Sequence, residues 1–367
     1  MRILQLVYES LGSPFGFGGA GVRAYEIYKR LAEKHDITLL CMKYPGSGEQ
    51  KEIEGLRHIF VGSGSANIYR SVLSYTAHAM CYLKKYSGDY DIVVENFLPS
   101  TPFLSRFLSS VPVVLQLQGI MGRHAIKKFG LFPGLPMYIV EVFYPGLYKN
   151  YITVSMEDAG NLQKKGKRFF FIPNGVNPPE PLNIHKRDDY LLFLSRIDIY
   201  TKGLDILMDA FIKVAKKFPS IRLVLAGYEF NNHETLFERV PSELKERVEY
   251  RGFVVGKEKW NLLRQAKVFL LPSRHEANPV SLIEALSVGT PAVVSDIPQM
   301  RYVGEDGYGL TFRAGSSADL AKKITVMLED DDLRKRCSER GIDYASRFRW
   351  DRIAEEFERA LYEVKDG

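Results

Sequence analysis

The chain has 367 residues, 46% of them apolar and 26% charged, which is ordinary globular composition and too long for one typical core. Its net charge of +6 is unevenly placed: 20 Lys and Arg stand against 13 Asp and Glu through Gly175, and 30 against 31 beyond it. That basic half suits a phosphate-bearing ligand or an anionic membrane, with a merely solvated face as the blander reading, and no nucleic-acid partner is expected. Three distant cysteines, Cys41, Cys81 and Cys337, read as reduced, buried thiols of a cytosolic protein. The opening residues read as a strand rather than a signal peptide. No run reaches the roughly 18 apolar residues that span a bilayer. The nearest stretch, 131–147, is broken by Pro133, Pro136, Glu141 and Pro145.

Strand and helix patterns then alternate. Strands are expected over 3–7, 37–42, 91–95, 111–115 and 151–155, with helices over 22–34 and 68–85. The pattern pauses in a Pro-rich, charged stretch near 173–189, which has linker composition. It restarts with strands over 190–194, 222–226, 248–251, 268–271, 291–295 and 309–312, helices over 204–217 and 257–265, and a helical C-terminus. Short buried strands separated by helices imply two parallel α/β sheets, with a first domain over 1–178, completed by a helix over 350–367, and a second over 186–349. A cleft between them is the expected ligand site, because such sheets bind ligands beyond the carboxyl ends of their strands.

Gly16, Gly18 and Gly21 match the spacing of the dinucleotide fingerprint, but seven residues from Glu9 to Phe15 separate them from the first strand. The second strand also ends on Lys43 rather than an acidic residue, which argues against a nicotinamide enzyme. The glycines still allow a phosphate to approach a helix N-terminus closely, with a plain flexible loop as the alternative. After the first strand of the second domain come Arg196 and Lys202, a forked cation and a mobile one that together neutralise a diphosphate, or else ordinary surface charge. Glu276 and Glu284 flank a helix start in which Asn278 is the expected N-cap and Pro279 the expected first helical residue. Alone, the two carboxylates fit acid/base hydrolysis, an exposed face or hydroxyl recognition; beside Arg196 and Lys202 they favour a nucleotide sugar. The seven histidines show no metal-ligand spacing.

Pro173-Asn174-Gly175-Val176, Arg196 with Lys202-Gly203, Pro272-Ser273-Arg274-His275-Glu276 with Glu284-Ala285, and Gly289-Thr290-Pro291 resemble retaining glycosyltransferase family 4, with its two-domain GT-B fold. The ending Phe348-Arg349-Trp350-Asp351 is similar to that family's last helices, so the resemblance spans nearly the whole chain. It implies transfer of a sugar from a nucleoside diphosphate donor to an acceptor hydroxyl with retention, without a metal or other cofactor. Glu284 would hold ribose hydroxyls, Arg196 and Lys202 the diphosphate, and Glu276 the donor sugar, with the backbone of Asn278, Pro279 and Val280 reaching phosphate or sugar. Gly18 and Gly19 would close over the diphosphate, and Gly252, Phe253 and Val254 loosely match the base-binding strand end. Where many members carry a histidine on the acceptor side, this chain has Gln118, which hydrogen-bonds but cannot act as a base. His124 is a candidate substitute, and a nucleotide-sugar binder without transferase activity is the rival reading. Arg123, Lys127, Lys128 and Lys149 interleave with Phe129, Phe132, Phe143 and Tyr144 over 121–151. That pattern fits an anionic membrane surface on the cytoplasmic face and a lipid-linked acceptor, or a helix packed inside the first domain.

Overall fold

The computed structural model describes residues 1–16, 18–179, 187–230 and 232–367. Unit 1 comprises Met1–Asn174 and Trp350–Gly367, and unit 2 comprises Gly175–Arg349. The chain thus leaves unit 1 slightly before the expected boundary at 178; of the linker expected over 173–189, residues 180–186 lie outside the described residues.

The strands of unit 1 are β1 (Arg2–Leu6), β2 (Asp36–Met42), β3 (Gln50–Ile53), β4 (Leu56–Val61), β5 (Ile92–Phe97), β6 (Val113–Leu117), β7 (Asn150–Thr153) and β8 (Arg168–Phe171). They form one sheet in the order β3-β4-β2-β1-β5-β6-β7-β8, parallel except for the β3–β4 pair. Its helices are α1 (Gly19–Leu31), α2 (Ile68–Tyr86), α3 (Ser105–Leu108), α4 (His124–Phe129), α5 (Leu131–Phe143) and α6 (Met156–Lys164). Ala24, Ile27, Tyr28 and Leu31 recur at helical spacing and bury one face of α1 against the sheet.

Several expectations shift here, among them the strand expected over 151–155, which runs Asn150–Thr153. The first helix begins at Gly19 rather than 22, because a side chain from outside it, Glu9, ties down its first turn. The strand expected from 111 begins at Val113, since Pro112 has no N–H to give the ladder. The β3–β4 hairpin was not anticipated; its turn takes Glu54 and Gly55 to φ of 50° and 76°, as a two-residue hairpin turn demands. Cys41 and Cys337 are buried as expected, but Cys81 is exposed on the outer face of α2.

Unit 2 contains β9 (Tyr190–Leu194), β10 (Arg222–Ala226), β11 (Val248–Tyr250), β12 (Val268–Leu271), β13 (Ala292–Ser295) and β14 (Gly309–Phe312). Every strand pairs in parallel, in the order β11-β10-β9-β12-β13-β14. This is the doubly wound nucleotide-binding order, whose reversal falls between its first and fourth strands, here β9 and β12. Its helices are α7 (Ile199–Lys202), α8 (Leu204–Lys217), α9 (Glu234–Phe237), α10 (Gly256–Gln265), α11 (Val280–Ser287), α12 (Tyr302–Glu305), α13 (Ser317–Glu329) and α14 (Asp331–Ser346). The strands β9, β12 and β13 are buried along their whole length, so they read as unbroken apolar runs.

The last helix, α15 (Trp350–Asp366), returns to unit 1. Trp350, Ile353, Phe357, Leu361 and Val364 form its buried stripe, and Phe357 meets Tyr28 of α1 edge-on at 5.7 Å between ring centroids. Burial of each such side chain contributes about 1.5–3 kcal/mol.

Candidate active site

Arg196 follows β9 and Glu276 follows β12, so the two segments diverge where the strand order reverses. Glycine makes their approach possible. Gly203 ends α7 at φ +65°, and a Cβ there would lie 2.0 Å from the Pro272 carbonyl oxygen. Gly227 sits at φ +144°, where a Cβ would lie 1.9 Å from the Ser195 carbonyl oxygen. Any side chain at either position would force the loops apart.

The loops are also tied by charge. Arg274 grips Asp205 with two bonds of 2.8 and 2.7 Å and donates to the Tyr200 carbonyl at 2.9 Å. The hydrogen bonds and charge of Asp205 hold the Arg274 guanidinium above its ordinary pKa. Burial pushes the Asp205 carboxyl upward, yet the bonds from Arg274 outweigh it and the net shift is downward. Asp198 caps α7 by accepting from the Thr201 N–H at 3.1 Å and pairs with Arg196 at 3.0 Å.

On this frame Lys202 Nζ reaches Glu276 Oε1 at 2.6 Å, and Ser273 donates to the same oxygen at 2.6 Å. The Lys202 and Glu276 side chains are only 13% and 7% exposed, so water screens this pair far less than a surface ion pair. Arg196 is more open and lies over the Phe230 ring, 5.0 Å from its centroid. Glu284, on the inner face of α11, is paired with Lys259 of α10 at 2.6 Å. The structure therefore gathers Lys202 with Glu276, and Arg196 with Asp198, and gives Glu284 a cationic partner of its own.

The start of α11 differs by one residue from the expectation. Pro279, at ψ 111°, is the N-cap and Val280 the first helical residue, and the proline side chain itself cannot cap. An extended Pro279 is displaced one step outward, so Asn278 lies before the cap position rather than at it. Gly252 turns the chain at φ +71° and accepts from the Gly227 N–H at 2.8 Å. Beyond it Phe253 is 55% exposed while Val254 is buried, so Phe253 alone of the two is accessible.

In unit 1 the glycine loop holds a surprise. Glu9 Oε2 accepts from the Gly18 N–H at 3.1 Å and the Gly21 N–H at 2.5 Å, and Tyr8 donates to Oε1 at 2.8 Å. The anion position at the head of α1 is thus filled by the protein's own carboxylate, and the Gly18 N–H expected to meet a phosphate is already engaged. Gly19 faces open space. Gln118 stands just past β6, with its Nε2 buried and without a partner among the described residues. His124 opens α4, two positions after Gly122, whose N–H is held by the buried Glu141.

The sequence assigns no role to Ser273, Lys259, Asp198, Arg274 or Glu9. Asp198 was readable as a cap three residues before Thr201. Lys259 lies 25 positions from its partner and Glu9 nine or more from the amides it holds, separations that no local pattern marks. No cluster of His, Cys, Asp or Glu that could hold a metal occurs among the described residues.

Two family models match the chain: "Glycosyltransferase Family 4" over residues 17–180 and "Glycosyl transferases group 1" over 178–344. The phosphatidyl-myo-inositol mannosyltransferase of Mycobacterium leprae is 32% identical over 288 residues, covering 76% of this chain and 74% of that protein. Sucrose-phosphate synthase from Thermosynechococcus elongatus superposes with a TM-score of 0.80 at 17% identity, over 99% of this chain and 98% of that one. Anabaena HepE, solved with UDP-glucose, gives 0.74 at 18% identity, over 99% and 100%. The sheets and these likenesses define a GT-B glycosyltransferase. Within that class, the chain belongs to glycosyltransferase family 4, with the group 1 domain in its second half.

Proposed function

We propose that the enzyme transfers a sugar from a nucleoside diphosphate sugar to an acceptor hydroxyl with retention at the anomeric carbon. The observation that carries this is the buried Lys202–Glu276–Ser273 arrangement, with α11 opening on Pro279 four residues after Ser273-Arg274-His275 has ended. A diphosphate there meets Lys202, Arg196 and the first amides of α11, which neutralise it as it leaves, with cations in place of a metal. The bond between the anomeric carbon and phosphate oxygen breaks, the acceptor oxygen bonds to that carbon on the same face, and the leaving phosphate takes the acceptor proton. Glu276 holds the sugar hydroxyls, Glu284 the ribose, and Phe253 the base. Relatives that are mannosyltransferases favour a mannosyl donor, and a lipid-linked or glycan acceptor taken by unit 1.

The segment over 121–151 supports a membrane-surface role on the cytoplasmic face. Leu131, Phe132 and Phe143 are 70%, 87% and 70% exposed, and Lys127 beside them is exposed. No helix among the described residues is long and apolar enough to cross a membrane. Salt-sensitive binding to anionic liposomes, lost on neutralising Lys127 and Lys128, checks that part; no binding at low salt removes it.

A thermal-shift panel of nucleotide sugars tests the transferase reading, followed by anomeric NMR of the product. Stabilisation by one donor class and an axial-to-axial outcome are expected. Donor binding without turnover across a broad acceptor panel, or an inverted product, would overturn it.

A further inference from the structure

Unit 1 carries a second concavity, at the edge of its sheet opposite to the strand ends where ligands of such folds bind. It encloses about 440 Å³, within the roughly 300–1,000 Å³ of small-molecule sites. Alternation along the strands explains where it lies. Leu4 and Leu6 of β1, Leu40 and Met42 of β2 and Ile59 of β4 pack with Tyr75, Ala79 and Leu83 of α2. Two residues before Leu4, Leu40 and Ile59, the same face carries Arg2, Thr38 and Arg57. The apolar core therefore gives way to polar side chains at the amino ends of these strands.

The strand register fixes one wall, with Arg2 beside Asp36 and Thr38 beside Arg57. The helix supplies the other. Tyr82 and Tyr86 lie one turn apart at the end of α2, with ring centroids 4.8 Å apart. Lys85, outside the concavity, lies over the Tyr86 ring at 4.8 Å and steadies it. A short turn over Ser87–Asp89 then brings Tyr90 back beneath the helix, where its hydroxyl meets that of Tyr82 at 2.8 Å. Thr38, Ile59 and Tyr90 are buried and form the floor, while Arg2, Asp36, Arg57 and Asp89 stand exposed around the rim.

The local chemistry narrows the ligand. Two guanidinium groups and two carboxylates face each other around the rim, so neither sign of charge prevails and a simple ion gains little. Arg2 is already held by Asp91 at 3.3 Å, whereas Arg57 has no ion-pair partner among the described residues. Its planar fork can reach two neighbouring hydroxyls, and the carboxylates and Thr38 can accept from others. The tyrosine rings add an aromatic surface to this mixture of donors and acceptors. A sugar ring has the matching make-up, with hydroxyls around its edge and an apolar face of C–H groups. We propose that this concavity is a holding site for a neutral sugar residue of a glycan. The five residues of β1, at about 3.3 Å each, set it about 16 Å from the carboxyl ends of the strands. The ring held here is therefore not the one that reacts, and the site anchors a chain of several sugars. This goes beyond the transferase reading and does not depend on it.

Saturation-transfer NMR on the full chain tests it, with methyl α-D-mannopyranoside and maltotriose as probes and inorganic phosphate as competitor. Excess GDP and UDP are present to occupy the donor site. At least one saccharide should bind, and phosphate should not displace it. Arg57→Ala and Tyr86→Ala should each weaken the saccharide about tenfold, as for losing a charged donor or an aromatic face. Arg57 is exposed, so its variant serves if Tyr86→Ala misfolds. Failure of both saccharides to bind, displacement by phosphate, or equal binding by wild type and Arg57→Ala would overturn the site. A chain that binds saccharide in this Arg57-dependent way yet transfers no sugar would leave the site standing and strike only the transferase reading.

Discussion

The two helix starts that a nucleotide-sugar enzyme has reason to keep open are prepared in opposite ways. At α1 the amides of Gly18 and Gly21 are occupied by Glu9, a carboxylate from the end of the preceding strand loop. At α11 the N-cap is a proline that cannot cap with its side chain, and Glu276 and Glu284 are paired with Lys202 and Lys259. An anion entering at α1 must displace a negative charge, whereas one entering at α11 meets positive partial charge and a lysine already in place. Glycines before a helix are therefore a poor guide to anion binding unless one also knows where the nearest carboxylate goes.

Breaking the α11 side should have the largest consequence. Lys202→Ala should lower turnover by about 10²–10³, as expected for losing one transition-state donor, with the circular-dichroism spectrum kept and a lowered melting temperature because Glu276 loses its buried partner. Near-normal turnover would mean that the lysine serves only Glu276. Gly203→Ala should cost roughly 2 kcal/mol or more in urea unfolding, since it demands φ +65° of alanine and drives a Cβ into Pro272. It should lower activity in parallel, because Lys202 is the preceding residue. An unchanged denaturation midpoint would show that the approach of the two loops is not as tight as described.

The α1 side should respond more mildly. Glu9→Ala frees two amides and should cost about 1–2 kcal/mol in the same unfolding measurement, the usual range for a helix cap. If the carboxylate only blocks an anion site, that variant would instead bind inorganic phosphate or nucleotide more tightly at little cost in stability. The smallest effect is expected from Phe253→Ala, which should raise the donor KM by about threefold to tenfold with kcat preserved, as for losing a stacking face. A fall in kcat alone would place Phe253 elsewhere in the cycle.

Much of unit 2 was legible because its signals are local. The strand 190–194, the helix 204–217 and the strand 268–271 coincide with the observed elements, each an apolar run bounded by charge or glycine. Arg196, Lys202, Glu276 and Glu284 could be named because each lies within a few residues of a strand end or helix start. The β3–β4 hairpin was hidden by its Lys51, Glu52 and Glu54, which look like loop residues yet are tolerated on an edge strand. The shift of the α11 cap turned on the ψ angle of a single proline, and helix ends are uncertain by a residue or two from pattern alone. Lys259 and Glu9 were invisible for a different reason. Each acts on a partner brought near only by the packing of a whole sheet.

The double crossing of the chain has a consequence for how the protein is made. Residues of unit 2 are contiguous, so that unit needs nothing beyond Arg349 to complete its core. Unit 1 is begun first but finished last, since its core waits for Trp350, Phe357 and Leu361 of α15 to cover α1. On the ribosome the older unit therefore exposes an apolar face throughout synthesis of the younger one. Its completion depends on Trp350–Gly367, made after the whole of unit 2.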